Sequence, residues 1–196
     1  MSEDGYDYKN LIKEPESELE IIFMELQDNL LGALDTFTLV KQYGIWWENL
    51  KKDDPTDQLV DKIIAIKLKE YLLIQLSAIF YDKSSESVAS VHNLKEHLPD
   101  RAKYLVEEFN NRQKGILERI GCLRNKLFAH NEIIKKDSTK IKINNYRNNV
   151  SNEDIDKLFK DALDMLTKLA YEDLNLPVPI TDSLIENDVI SYFKEK

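Results

Sequence analysis

Apolar residues recur every three or four positions along much of this chain, which is the spacing of one face of an α-helix. The first such stretch begins near Pro15 and continues to Val40, and it predicts one amphipathic helix with the proline in its first turn. We expect the segment YGIWWENLKKDDPTD, residues 43–57, to break that helix. Trp46 and Trp47 in this segment are predicted to pack at the edge of the core.

Three more long helices follow from the same periodicity. The second continues to about Tyr81 and is apolar on two sides, which predicts a central helix covered by several neighbours. The third starts near Arg101 and carries an apolar stripe with a spacing close to a heptad: Leu105, Phe109, Ile116, Ile120, Leu123 and Leu127. The fourth has one apolar face: Ile155, Leu158, Phe159, Ala162, Leu166 and Leu169. Short helices are expected between residues 82 and 100 and near residues 189–193.

These elements predict an all-α protein, an up-and-down bundle of four to six helices. Only 5 glycines and 5 prolines interrupt 196 residues. We expect a flexible polar leader over residues 1–14 and a single helical domain over 15–196. Residues 131–151 lose the helical period, and the alternation in KIKI, residues 140–143, is typical of a short strand.

Charge and cysteine content narrow the class of protein. The chain has 27 basic and 36 acidic side chains, a net charge of −9, so binding to nucleic acid requires a local basic patch. The single Cys122 cannot form an internal disulfide, which favours a reducing cytoplasm. The most apolar run, residues 71–81, is too short to cross a bilayer, so we expect no membrane partner.

Most familiar catalytic and metal-binding motifs are absent from the sequence. There is no glycine-rich phosphate loop, no His-Glu-x-x-His and no pair of cysteines. His92 and His97 stand five residues apart, a poor helical spacing for a shared metal, so we interpret them as surface or interface histidines. We expect neither a metal nor a cofactor.

A basic segment lies in the second half of the acidic chain. Residues 122–150 contain seven Lys or Arg against two acids, a local net charge of +5. The simplest interpretation is a solvated loop, whereas the alternative is an RNA-binding surface on which an aromatic ring stacks against a base. The predicted RNA-binding residues are Lys126, Lys135, Lys136, Lys140, Lys142, Tyr146 and Arg147.

The sharpest candidate for chemistry is LRNKLFAHNE, residues 123–132, which adjoins that basic segment. His130 has an imidazole that can exchange a proton near neutral pH, and Arg124 can stabilise the charge on a phosphate. Asn125 can orient either group. The structural alternative makes Arg124 a surface ion-pair partner and His130 a helix C-terminal cap.

Arg124, the polar Asn125 and His130, late in a long helix, resemble the signature of the HEPN domain family. The flanking residues and LSAIFYDKSSES, residues 76–87, look like its abortive-infection (AbiU-type) branch, and the resemblance covers roughly residues 55–170. It implies a metal-independent endoribonuclease of a defence or toxin–antitoxin system, in which the RNA 2′-hydroxyl is the nucleophile. It also implies a homodimer and a possible nucleotidyltransferase-type antitoxin. Two alternatives are a non-catalytic HEPN module that binds RNA, a nucleotide or a partner protein, and a bundle that serves only assembly.

Helical geometry separates the two candidate catalytic residues. Six helical steps rotate by about 240° and rise by about 9 Å, so Arg124 and His130 face apart on one unbroken helix. We therefore expect either that the helix ends before His130 or that a second copy completes the site across a two-fold axis. The small residues Gly115, Gly121 and Ala129 are predicted to allow the close approach of that second copy.

Overall fold

The computed structural model describes residues 17–49, 55–81, 90–123, 150–172 and 174–179, with the single positions 188 and 191. In this part of the chain the backbone forms five helices and no strand, which confirms the predicted all-α class. The helices are α1 (Glu18–Asn49), α2 (Pro55–Phe80), α3 (Val91–His97), α4 (Asp100–Leu123) and α5 (Asn152–Ala170). The predicted leader and the KIKI strand lie outside the described ranges, and of the predicted C-terminal helix only residue 191 is described, in a helical conformation.

Helix α1 is longer than predicted. It begins after Ser17, whose Oγ accepts a hydrogen bond from the backbone N–H of Glu20 at 3.2 Å. It then continues through Gly44 to Asn49, so the predicted break at residue 43 is wrong. A single glycine inside a helix costs only about 1 kcal/mol, which the adjoining turns of this 32-residue helix offset. The predicted packing of Trp46 and Trp47 concerns side chains outside the described ones.

The buried side chains of α2, among those that the structure describes, lie in its C-terminal part. Its core residues lie between positions 72 and 80: Leu72, Leu73, Leu76, Ile79 and Phe80. Helix α2 contacts α1, α3 and α4, but Ile63 and Ile74 are 50% and 45% exposed, so these two apolar positions are not covered by the described neighbours. At the C-terminal end of α2, Phe80 packs against Phe109 of α4.

Local hydrogen bonds define the ends of the shorter helices. The Ser90 hydroxyl accepts from the Asn93 amide at 3.1 Å and starts α3, the predicted short helix. Ser151 and Asp154 form a reciprocal capping box at the start of α5. Helix α5 ends at Ala170, and residues 171–172 and 174–179 are not helical.

The bundle is assembled from two helix pairs, α1 with α2 and α4 with α5. Contacts across the second pair, which run in opposite directions along the two helices, show that α4 and α5 are antiparallel. Tyr104 Oη donates to Glu172 Oε1 at 3.2 Å, and Arg119 Nη2 lies 3.0 Å from Asp154 Oδ1 at the other end. Ring contacts join the pairs, with Phe37 of α1 stacked on Phe159 of α5 and Phe80 of α2 against Phe109 of α4.

The apolar stripe of α4 lies inside this core. Its described members are all buried: Leu105, Phe109, Ile116, Ile120 and Leu123. Burial of one such side chain contributes about 1.5–3 kcal/mol. Up to Leu123 the chain therefore covers the stripe itself and leaves no part of it for a second copy.

No helix in the described ranges is both long enough and apolar enough to cross a membrane.

Candidate functional site

All ten predicted site residues fall between positions 124 and 147, outside the residues that the structure describes. They comprise the catalytic set Arg124, Asn125 and His130 and the RNA-binding set Lys126, Lys135, Lys136, Lys140, Lys142, Tyr146 and Arg147. Ala129 lies there too. The structure does describe where this segment leaves the bundle and where it returns.

Both ends of the segment are fixed in the core. Leu123, the last residue of α4, and Val150, immediately before the cap of α5, are each completely buried. The 26 residues 124–149 thus connect the buried end of α4 to the buried residue that precedes the cap of α5. Arg124 is bonded directly to Leu123, so its Cα lies about 3.8 Å from a fixed point of the core.

An ion pair ties the two helices together beside these ends. Arg119 Nη2 lies 3.0 Å from Asp154 Oδ1, across the α4–α5 contact. The other oxygen of Asp154 accepts a hydrogen bond from the Ser151 amide at 3.1 Å, while the Ser151 hydroxyl accepts from the Asp154 amide at 3.1 Å. One carboxylate therefore both caps α5 and holds α4.

These bonds also change the acidity of the first turn of α5. Burial tends to raise the pKa of Asp154, but the Ser151 amide and the Arg119 guanidinium outweigh it and lower the pKa overall. The pKa of Glu153 is lowered as well, by hydrogen bonds from its own amide and from the Ser151 hydroxyl. Both carboxylates are therefore stabilised as anions at the positive end of the helix dipole.

A groove of about 450 Å³ lies on the opposite flank of α4, where it meets the end of α2 and helix α3. Its floor is apolar and consists of Phe80, Val91 and Leu117. The ring of Tyr81, which is 37% exposed, forms one wall. That ring rests on Gly121, where an added Cβ would come within 2.7 Å of Tyr81 Cδ2 and Cζ.

Gly121 therefore has a function within the chain. It allows the ring of Tyr81, the residue directly after α2, to lie against the backbone of α4, a contact between residues 40 positions apart in the sequence. Our expectation that Gly121 lies at an interface between two copies is not supported by this packing. Gly115, by contrast, is exposed, and nothing lies within 4 Å of the position that a Cβ would occupy.

The polar walls of the groove carry side chains without partners. His92, Asn110, Lys114 and Glu118 form neither a hydrogen bond nor an ion pair with another described residue. Lys95 differs, since its Nζ lies 2.9 Å from Glu107 Oε1. Sequence reasoning identified only His92 of these four, although the spacing of 110, 114 and 118 by four residues already indicated one helical face.

The described ranges contain no evident set of metal ligands. They contain no group of three or more His, Cys, Asp or Glu side chains placed to hold a metal ion. His97 is exposed, its Nδ1 lies 2.9 Å from the Asn93 carbonyl oxygen, and its Nε2 lies 3.6 Å from Glu18 Oε1. Cys122 is a half-buried free thiol.

No protein-family model, curated protein or solved structure matches this chain. The HEPN resemblance therefore depends on the motif at residues 124–130 and its position after a long helix. The functional argument that follows rests on the residues of the chain itself.

Proposed function

We propose that this chain is a metal-independent endoribonuclease of a defence or toxin–antitoxin system, with a HEPN-like fold. The observation that carries the proposal is the Arg124–Asn125–x4–His130 motif, which starts at the residue after the buried end of α4. The basic segment next to this motif supports RNA as the substrate, because it concentrates positive charge in a chain of net charge −9.

The proposed reaction is an internal transfer within RNA. The 2′-hydroxyl oxygen attacks the adjacent phosphorus, and the bond from phosphorus to the 5′-oxygen breaks. His130 exchanges the protons that this requires, one taken from the 2′-hydroxyl and one delivered to the leaving 5′-oxygen, and Arg124 stabilises the negative charge on the phosphoryl oxygens. Asn125 orients the phosphate or the imidazole.

The fixed ends of the segment support this assignment. Phosphoryl transfer depends on holding the reacting groups in position, and small displacements lower the rate steeply. A motif that begins one residue beyond a completely buried leucine starts from a rigid support. The ion pair between Arg119 and Asp154 fixes the same support to α5.

A homodimer belongs to the proposal. One copy gives a poorly focused site if the helix continues to His130, and two copies related by a two-fold axis would bring two arginines and two histidines around one cleft. Since the chain buries its own α4 stripe up to Leu123, we place the interface beyond that residue, near Ala129. A nucleotidyltransferase-type protein is the antitoxin that we would seek.

A non-catalytic HEPN module is the second candidate. The groove supports it, because four polar side chains around an apolar floor lack partners in the described part of the chain. Such a module would bind RNA or a nucleotide without cleaving it.

Cleavage of RNA in the presence of a chelator tests the proposal. We expect wild-type protein to cut a single-stranded RNA equally well with and without EDTA, and His130→Ala and Arg124→Ala to lose cleavage while remaining folded. His97→Ala is the matched control, because His97 is exposed on a different helix. Full activity in nuclease-free, folded His130→Ala protein would refute the assignment.

Charge reversal in the basic segment tests the substrate. Changing Lys135, Lys136, Lys140 and Lys142 to Glu should weaken RNA binding, and each lost phosphate contact should reduce the log–log salt slope by roughly 0.7. The control is reversal of two exposed lysines of α5, Lys157 and Lys160. An unchanged affinity and slope would identify the segment as a solvated loop.

A further inference from the structure

We infer that the groove between α2, α3 and α4 binds one ribonucleotide unit, a planar base with its ribose and phosphate. The ligand class follows from the residues of the groove. That the nucleotide belongs to a bound RNA strand rests on the proposed ribonuclease function. The groove is separate from the motif at residues 124–130.

The size and floor of the groove suit a small ligand with an apolar face. Its volume of about 450 Å³ lies within the range of small-molecule sites, roughly 300–1,000 Å³. The apolar floor of Phe80, Val91 and Leu117 favours a flat, poorly hydrated surface. The ring of Tyr81 stands beside this floor, held against Gly121, and presents an aromatic face on which a base can stack.

The polar walls require a ligand of mixed character. Lys114 is a cation without an ionic partner among the described residues, and it suits a phosphate. Glu118 lies one helical turn further along α4 and suits ribose hydroxyls, which donate hydrogen bonds to carboxylates. Asn110 lies one turn before Lys114 and can both donate to and accept from the edge of a base.

Other ligand classes fit less well. A purely anionic ligand would meet the carboxylates of Glu96 and Glu118, whereas a purely cationic one would meet Lys95 and Lys114. An apolar ligand would desolvate His92, Asn110 and Lys114 without giving them a partner. A ribonucleotide combines an apolar face, an anion and hydroxyl donors, so it can interact favourably with the apolar floor, the lysine and the carboxylate of the groove.

The position of the groove is consistent with a strand that also reaches the proposed active site. Nine helical steps from Lys114 to Leu123 span about 13.5 Å, and Arg124 adds at most about 3.8 Å. About five stacked nucleotides, at ~3.4 Å each, cover that distance. The same groove chemistry also suits a free nucleotide acting as an effector, so the experiment must separate the two sources.

Binding is measured with two probes, ADP by isothermal titration calorimetry and 5′-fluorescein decaadenylate RNA by fluorescence anisotropy. The RNA arm uses the His130→Ala protein as background, so that the strand stays intact under the proposed mechanism. Tyr81→Ala and Lys114→Ala should each weaken binding about tenfold, the effect of losing one stacked base or one charge-assisted hydrogen bond. Tyr81→Phe keeps the ring and should retain binding.

The matched controls replace another tyrosine and another lysine, both outside the groove. Tyr71→Ala removes a tyrosine of α2 that is 54% exposed outside the groove, and Lys160→Ala removes an exposed lysine of α5. Neither should change the affinity for ADP or RNA. Circular dichroism of every variant confirms that the helices remain folded.

Each outcome has a distinct meaning. ADP binding that depends on Tyr81 and Lys114 supports the site with a free nucleotide as its source, whereas RNA binding alone with the same dependence supports the strand. Failure of both probes to bind, or binding that the groove variants leave unchanged, overturns the inference. If the wild-type protein cleaves no RNA but binds a probe through the groove, the binding site is supported and the ribonuclease is rejected. If it cleaves RNA but the groove variants leave binding unchanged, the ribonuclease is supported and the groove site is rejected.

Discussion

The polar side chains on the two flanks of α4 differ in whether they have partners on another helix. On the flank that faces α5, Tyr104, Arg112 and Arg119 each have a partner on or just after that helix: Glu172, Asp161 and Asp154. On the groove flank, Asn110, Lys114 and Glu118 have none among the described residues. Both flanks are polar in sequence. The first holds α5 through three side chains, whereas on the second Glu107 pairs with Lys95 of α3 and the three residues that follow it on the groove face have no described partner.

This difference distinguishes polar side chains that stabilise the fold from polar side chains that remain available to a ligand. Side chains that pair across two helices contribute to orientation and stability, and they are largely occupied. Side chains that surround a groove without partners keep their hydrogen-bonding capacity for another molecule. The α5 flank thus holds the two helices from which the segment 124–149 starts and ends, and the groove flank is the place of the ligand binding that we propose.

The largest expected contrast involves the two glycines of α4. Gly115→Ala should raise the free energy of unfolding by about 1 kcal/mol, because alanine is the better helix former and the added Cβ meets open space. Gly121→Ala makes the same local gain, but its Cβ overlaps the Tyr81 ring, and overpacking of this kind costs about 1–3 kcal/mol. Urea unfolding of the two variants measures the difference, and equal stabilisation would contradict the packing of Tyr81 on Gly121.

The next contrast is the pH dependence of the Asp154 contacts. Asp154→Asn should lower stability at pH 7 by about 1 kcal/mol, the scale of a weakened helix cap and a partly exposed ion pair. The folded-state pKa of Asp154 is lowered, so its stabilisation is complete above the unfolded value, about 3.9, and is lost as pH falls through the folded value.

The variant and the wild type should therefore converge in acid. Urea unfolding at pH 7 and pH 3 tests this, with Asp156→Asn as a control that removes an acid of the same helix, one with a looser ion pair to Lys41 at 3.5 Å. A difference between Asp154→Asn and wild type that stays constant down to pH 3 would contradict the role of the ionised carboxylate.

The smallest stability effects are expected on the groove flank. Asn110→Ala, Lys114→Ala and Glu118→Ala should each change the free energy of unfolding by less than about 0.5 kcal/mol, as surface substitutions without partners do. Their effect should appear in ligand binding instead. A loss of stability comparable to that of Asp154→Asn would show that these side chains hold the fold.

Local patterns in the sequence predicted most of the helices. The apolar stripe of α4 and the face of α5 were visible because burial on one side imposes a period near 3.6. The end of α1 was misplaced, since Gly44 is a weak helix breaker that a long helix tolerates. The exposure of Ile63 was missed because the cover of a helix depends on neighbours that no local pattern identifies.

The two candidate sites likewise differ in whether a local sequence pattern reveals them. The motif at Arg124 and His130 is a local signal and was available from the sequence alone, although both residues lie outside the described ranges. The groove requires Tyr81 after α2, His92 of α3 and Lys114 of α4 to lie close together, and their separation in sequence conceals this proximity. The tertiary contact between Tyr81 and Gly121 likewise changed the interpretation of the glycine.

The chemistry of the RNA ends tests the central claim most directly. Purified protein in EDTA would be incubated with a single-stranded RNA and with the same RNA carrying one 2′-deoxy substitution at the mapped cleavage position. The account predicts products with a 2′,3′-cyclic phosphate and a 5′-hydroxyl, no cleavage at the substituted position, and no cleavage by His130→Ala. A 5′-phosphate on the product, cleavage of the deoxy position, or activity only with added magnesium would contradict it.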